Sequence, residues 1–239
     1  GVDFQSPSLD SDEMSNANYR VFLVAMGSGP DGGDVWFSRS ATFGATWTNE
    51  YAIFTSTTGS NMTYPEIRYG RSGIVHCVCY ENPAAAPSGD MAVRYRRAVN
   101  YAGNSLNWGS IAELTSGGNG EDEFHASVAA SHVTDRVVIG YALRNSTGVF
   151  QPATYRWSAD AGATWPAGNT NSTADNQLPH LLANDAESGF KAWGNVSGTD
   201  NFGVNSLRSD MAAWSVNRSH MDGVCAGVPS THTGGRYFD

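Results

Sequence analysis

Ser158-Ala-Asp-Ala-Gly-Ala-Thr-Trp165 is the stretch whose reading decides the fold. Asp160 is a residue that accepts backbone N–H bonds across a bend, as Asx turns do. Gly162 supplies a conformation that a Cβ would penalise. Trp165 is large enough to fill a gap beside a sheet. The octet therefore reads as a strand end, a tight polar turn and an aromatic that re-enters a core. A near copy, Ser40-Ala-Thr-Phe-Gly-Ala-Thr-Trp47, lies upstream. Both copies follow alternating strand-like runs, Asp34-Val-Trp-Phe-Ser38 and Ala153-Thr-Tyr-Arg-Trp157. A recurring turn at this spacing implies an internal repeat.

Working outward from the two turns exposes four similar units, at about 6–60, 64–118, 125–176 and 178–239, read here as a single domain. In the first, Pro7-Ser-Leu9 leads to Arg20–Met26, then Asp34–Ser38, then the turn, then Tyr51–Phe54. The second has Tyr64–Arg68, Ile74–Tyr80, Met91–Arg96, an eroded turn ending at Trp108, and Ile111–Leu114. The third has His125–Val128, Arg136–Tyr141 and Thr154–Trp157 before the full turn. The fourth has Leu178–Leu182, Phe190–Trp193, Gly203–Leu207 and a shortened turn to Trp214, with its last strand expected from the tail after Asn217 or from elsewhere. Each unit's second strand is almost continuously apolar, as a strand buried on both faces must be. Four short strands per repeat are the signature of β-propeller blades. The fold class is all-β, a propeller of about four blades of four antiparallel strands.

With Ser158, Asp160, Gly162 and Trp165 in place, the octet resembles the Asp-box (BNR) repeat of sialidase-like propellers. The upstream turn resembles it through Ser40, Gly44 and Trp47, with Thr42 where the aspartate would stand. The resemblance implies that these turns join third and fourth strands, away from the ligand site, so Asp160 is structural. Sialidase propellers normally have six blades. Four units here are expected to close into a small ring, with part of a larger ring as the alternative. A chain that fails to close exposes strand edges and associates with other chains.

The resemblance stops short of an activity. A sialidase needs three arginines for the substrate carboxylate, a tyrosine nucleophile with a glutamate partner, and an aspartate acid/base. The family's Arg-Ile-Pro string is absent, and Pro65-Glu-Ile-Arg68 has the order wrong. Hydrolysis by paired carboxylates would rest on Glu66 and Glu123, the best-placed pair by repeat register. The first strand of each blade lines the central channel. Glu66 and Arg68 share one face there, and His125 and His180 lie on the equivalent strands of the next two units. These four are the candidate ligand-binding residues, set against the plainer reading of an ion pair and two hydrogen-bonded spacers.

Composition narrows the partners. The formal net charge is −9 and Lys191 is the only lysine. That argues against nucleic acid, whose phosphates need cationic neutralisation, and Arg94-Tyr-Arg-Arg97 is too small a basic spot to change this. No apolar run approaches the roughly 20 residues that span a bilayer, so membrane insertion is not expected. The chain begins at Gly1 without a leader-like segment, which reads as a mature or processed start. Sequons at Asn61, Asn145, Asn171, Asn195 and Asn217 would be glycan acceptors in a secreted protein. No cofactor is expected. Ca²⁺ is conceivable at Asp31-Gly-Gly-Asp34 or Glu121-Asp-Glu123, although neither has EF-hand spacing. Cys77 and Cys79 share one strand face. One of them pairing with Cys225 stands beside the plainer reading of small buried apolar residues. The expected function is an extracellular or cell-surface, non-catalytic module that binds a glycan or a protein, using aromatics such as Trp36, Trp157 or Trp193 where exposed. A divergent glycoside hydrolase and a structural subunit of a larger assembly are the alternatives.

Overall fold

A computed structural model describes residues 4–11, 20–28, 33–56, 60–83, 91–99, 106–115, 121–166, 170–173, 180–184, 189–195, 202–207 and 214–218. The backbone alone is described for 170–173, 180, 182–184 and the later segments, and for Ser72. The described residues form antiparallel sheets, and among them no helix is longer than one 3₁₀ turn at Arg71–Gly73.

The first sheet runs in the order β1 (Gln5–Ser11), β2 (Val21–Ser28), β3 (Gly33–Ser40), β4 (Tyr51–Phe54). The second has β5 (Ser60–Tyr69), β6 (Val75–Pro83), β7 (Ala92–Val99) and β8 (Asn107–Trp108), with β9 (Ala112–Glu113) also on β7. The third is β10 (Asp122–Ala130), β11 (Val137–Arg144), β12 (Phe150–Ser158), β13 (Thr170–Thr173). The fourth is β14 (His180–Asn184), β15 (Gly189–Asn195), β16 (Phe202–Leu207), β17 (Trp214–Arg218). Each sheet is a meander, so every repeat is one blade.

Two strand expectations change. The second blade's outer position is shared by two short strands, because the chain bends at Gly109, whose N–H binds Arg97 O at 2.9 Å, before Leu114 N–H returns to Val93 O at 3.0 Å. Trp108 is therefore in a strand and not at the end of a turn. The fourth blade's last strand already begins at Trp214 and does not wait for the tail after Asn217.

The core lies between blades. Phe22, Val24 and Phe37 of the first sheet meet Ile67, Val75, Cys77 and Cys79 of the second, all essentially buried. Val78, Val93 and Tyr95 of the second meet Val128, Val137 and Ile139 of the third. Ala129 and Val138 of the third meet Leu181 of the fourth. The second strands β6 and β11 open with six buried residues each, which accounts for their unbroken apolar runs. Among the described residues the sheets pack first on second, second on third and third on fourth, and no comparable packing joins the fourth to the first. The four blades, in series, are consistent with part of a larger propeller.

Candidate functional site

The inner strands share a feature that alternation alone does not reveal. β1, β5 and β10 each carry a bulge, where the register slips between Gln5 and Ser8, Thr63 and Glu66, and Phe124 and Ser127. The bulged residues Ser6, Tyr64 and His125 have φ of 49°, 48° and 47°. Left-handed backbone is uncommon for residues with a Cβ, and its repetition at one position marks a built feature of the blade. Past the bulge, Ser8, Glu66, Ser127 and His180 take equivalent register positions.

Those positions join the blades. Ile67 N–H donates to Ser8 Oγ at 3.2 Å and Leu181 N–H to Ser127 Oγ at 3.0 Å. Glu66 accepts from the Val128 amide and from the Ser127 hydroxyl. A fourth clip runs from Tyr69 N–H to Asp10 Oδ2 at 2.6 Å. Each is an inner-strand amide held by a side chain of the preceding blade. Burial pushes the Glu66 pKa up; Arg68, Ser127 and Val128 oppose that shift and Asp10 adds to it. Arg68 Nη2 lies 2.7 Å from Glu66 Oε1, with both side chains partly buried.

The four candidate residues therefore divide. Glu66 and Arg68 form an ion pair on the inner strand β5. His180 has the register of Glu66, and its side chain lies outside the described residues. His125 is displaced onto the bulge, two positions before Ser127, and joins an aromatic group instead. Tyr64 stacks on Tyr80 at 5.8 Å and 8°, and His125 lies 5.3 Å from Tyr64, tilted by 45°. Phe124 meets Tyr80, His125 and Phe150 at 6.5, 5.2 and 5.8 Å. Arg144 caps the Phe124 ring at 5.5 Å while donating from Nε to Asp122 Oδ2 at 3.0 Å. Tyr64 and Phe150 remain 44% and 41% exposed, so the shelf bridging blades two and three has an open surface. Tyr64, Tyr80, Phe124 and Phe150 were not singled out from sequence, where aromatics in strands read as packing.

The remaining candidates fall elsewhere. In the Ser158–Trp165 turn, Ser158 Oγ binds Asp160 Oδ1 at 2.6 Å and accepts from Gly162 N at 2.9 Å. Asp160 accepts from Thr164 N at 2.9 Å and Thr164 Oγ1 at 2.6 Å. Slight burial alone would raise the Asp160 pKa; these bonds outweigh it and hold the carboxyl at about 2. The Ser40–Trp47 turn repeats the scheme, with Ser40 Oγ accepting from Gly44 N at 2.8 Å and Thr42 Oγ1 taking the Thr46 amide at 2.8 Å. A threonine hydroxyl thus does the aspartate's work.

The later turn also grips the neighbouring blade. Arg97 Nη1 donates to Ala161 O at 3.0 Å, and Trp165 packs edge-on against Tyr95 at 4.9 Å. Tyr95 Oη in turn meets His76 Nδ1 at 2.7 Å, and burial, with Arg97 nearby, pushes the His76 pKa down to about 3.

Of the acidic loops, Asp34 Oδ1 is taken by Ser56 N and Oγ at 2.8 and 3.0 Å, and Asp122 by Arg144. Asp31 lies outside the described residues. Among the described residues no three His, Cys, Asp or Glu side chains come together as metal ligands, and no helix is long and apolar enough to cross a membrane. Of the sequons, Asn61 Oδ1 is held by Gly33 N across two blades at 2.7 Å, and Asn145 Oδ1 caps its own turn through Thr147 and Val149. Asn171, Asn195 and Asn217 sit on β13, β15 and β17. Cys77 and Cys79 are free, fully buried thiols, and Cys225 lies outside the described residues.

No protein-family model and no curated protein matches the chain. Solved structures do. A Trypanosoma rangeli sialidase in complex with the inhibitor DANA superposes with a TM-score of 0.60 at 17% identity, over 90% of this chain and 37% of the enzyme. The K499G mutant of NanB sialidase from Streptococcus pneumoniae gives 0.61 at 10% identity, over 90% of this chain and 51% of that one. The chain spans about a third to a half of the solved structures it matches. At such identity the likeness establishes a sialidase-like fold and leaves the chemistry to the site.

Proposed function

We propose that this sialidase-like arc is an extracellular, non-catalytic recognition module that binds a glycan on the aromatic shelf of blades two and three. The observation that carries the reading is Tyr64, held out by its bulge at φ 48°, stacked on Tyr80 and flanked by His125. Aromatic faces beside a few convergent polar groups are how small-molecule sites are commonly made. The Asx-type turns, read as Asp-boxes, lie at the other end of the blades and serve the scaffold. Glu66 supports a binding rather than a hydrolytic role, since Arg68, Ser127 and Val128 already engage it. Two of the matched enzyme structures hold sialic acid or the inhibitor DANA, which makes anionic sugars the first class to try.

The test is a glycan array followed by titration calorimetry with wild type and Tyr64→Ala. Saturable binding is expected, weakened at least about tenfold in the variant, with an unchanged melting temperature. Failure to bind any glycan at saturating protein would overturn the proposal. Turnover on a panel of fluorogenic glycosides, lost in Glu66→Gln, would replace it with the hydrolase reading.

A further inference from the structure

The two exposed rings of the shelf stand apart. Among the described residues Tyr64 and Phe150 make no ring contact with each other. They are joined through covered rings: Tyr64 to His125 at 5.3 Å, His125 to Phe124 at 5.2 Å, and Phe124 to Phe150 at 5.8 Å. The run crosses the seam between blades, since Tyr64 belongs to β5 and Phe150 opens β12. Each exposed ring has its own backing. Tyr64 lies parallel to buried Tyr80, and Phe150 lies against buried Phe124. A pyranose is about as wide as one aromatic ring, so a single sugar cannot lie on both.

Arg144 supplies the polar group along this run. It stands opposite Phe150 in the β11–β12 register, and its guanidinium lies 5.5 Å over the Phe124 ring. Asp122 Oδ2 takes Nε and Nη2, which matches the charge and leaves Nη1 to donate. No charge is therefore demanded of what lies on the shelf. We infer that the shelf takes a flat chain of equatorially linked hexopyranoses, one unit on Tyr64 and a later unit on Phe150, with Arg144 Nη1 donating to a hydroxyl of the chain. The inference rests on the recognition reading above and adds a second subsite to it. Equatorial linkage keeps such a chain flat and turns its C–H groups outward on both faces, the apolar surface that an aromatic face packs against. A donor fixed between the rings sets the chain's position, as the few polar groups of such sites commonly do. Tyr64 then governs whether a sugar binds, and Phe150 governs how long a chain is preferred.

Titration calorimetry with the β-1,4-linked glucose series, from glucose through cellohexaose, tests the second subsite. Affinity is expected to rise at least about tenfold from the shortest member bound to the longer chains and then to level off. Phe150→Ala is expected to remove that gain and to leave the shortest member's affinity unchanged. Phe150→Leu, which keeps apolar bulk on Phe124 and loses the flat face, should do the same at an unchanged melting temperature. Tyr64→Ala should weaken every length alike. Equal affinity along the series overturns the inference, as does a loss in the Phe150 variants that is the same at every length. A series that does not bind at all also overturns it, and binding of another glycan on the array would then leave the recognition reading standing alone.

Discussion

Replacing Gly162 with alanine separates two reasons for a glycine at this turn. Gly162 has φ 76°, where a Cβ costs roughly 1–2 kcal/mol. Its Cβ would also fall 1.8 Å from Tyr95 Oη and 2.7 Å from Tyr95 Cζ. Tyr95 is buried and bonded to His76, so it has little room to yield. Forced overlap in a packed core costs roughly 1–3 kcal/mol more. Gly162→Ala should therefore lose roughly 2–5 kcal/mol, moving the urea midpoint down by about 1–2.5 M at an m-value of ~2 kcal/mol/M. Gly44 is the internal control. It has φ 84° at the same place in the first blade's turn, and its Cβ would meet nothing closer than Trp47 at 3.8 Å. Gly44→Ala should show the backbone cost alone. Tyr95→Phe in the Gly162→Ala background should recover part of the difference, since it removes the nearest atom and leaves Cζ. Equal losses at 44 and 162, with no coupling to Tyr95, would refute the claim that the turn is wedged against the preceding blade.

Three further outcomes follow from the same geometry. Asp160→Thr, copying Thr42, should fold normally, and it should remove a pH dependence of known sign. The folded pKa of about 2 lies below the ordinary aspartate value of 3.8, so this carboxylate's stabilisation is full above pH 4 and fades toward pH 2. Acid titrations of the two proteins should diverge only in that window. Glu66→Gln keeps an acceptor for the Val128 amide but leaves Arg68 without its counter-charge, so a loss of about 1–3 kcal/mol is expected in urea, smaller than for Glu66→Ala. Cys77 and Cys79, whose thiols burial pushes up, should resist a thiol reagent in the native protein and react on unfolding, as peptide mapping would read.

The blades were legible because their signals are local. Ser158, Gly162 and the apolar run of β11 each declare themselves within a few residues. The channel wall was not, because the bulges break the alternation on which it was read. His125 was read only as lying on the strand equivalent to that of Glu66; the bulge sends it to the aromatic shelf, and Ser127 holds the register of Glu66. The clips were hidden for another reason. Ser8, Glu66 and Ser127 share a position and a task but no chemistry beyond an oxygen that accepts. The role of Tyr95 as the anvil of the Gly162 turn depends on a partner 67 positions away, where a sequence carries no local trace. Whether four blades close by themselves was left open in the sequence, because repeat number says how many blades there are and nothing about the angle between them.

The clips bear on how such a chain changes length. The second and third blades each bring an amide that the predecessor holds and an oxygen that holds the successor. A duplicated repeat therefore arrives with both halves of its own joint and needs no matching change elsewhere. Loss of a whole repeat brings a leftover amide and a leftover oxygen to each other. Blade number in this architecture is free to drift by insertion and deletion, while a substitution at one clip position is felt on both of its sides.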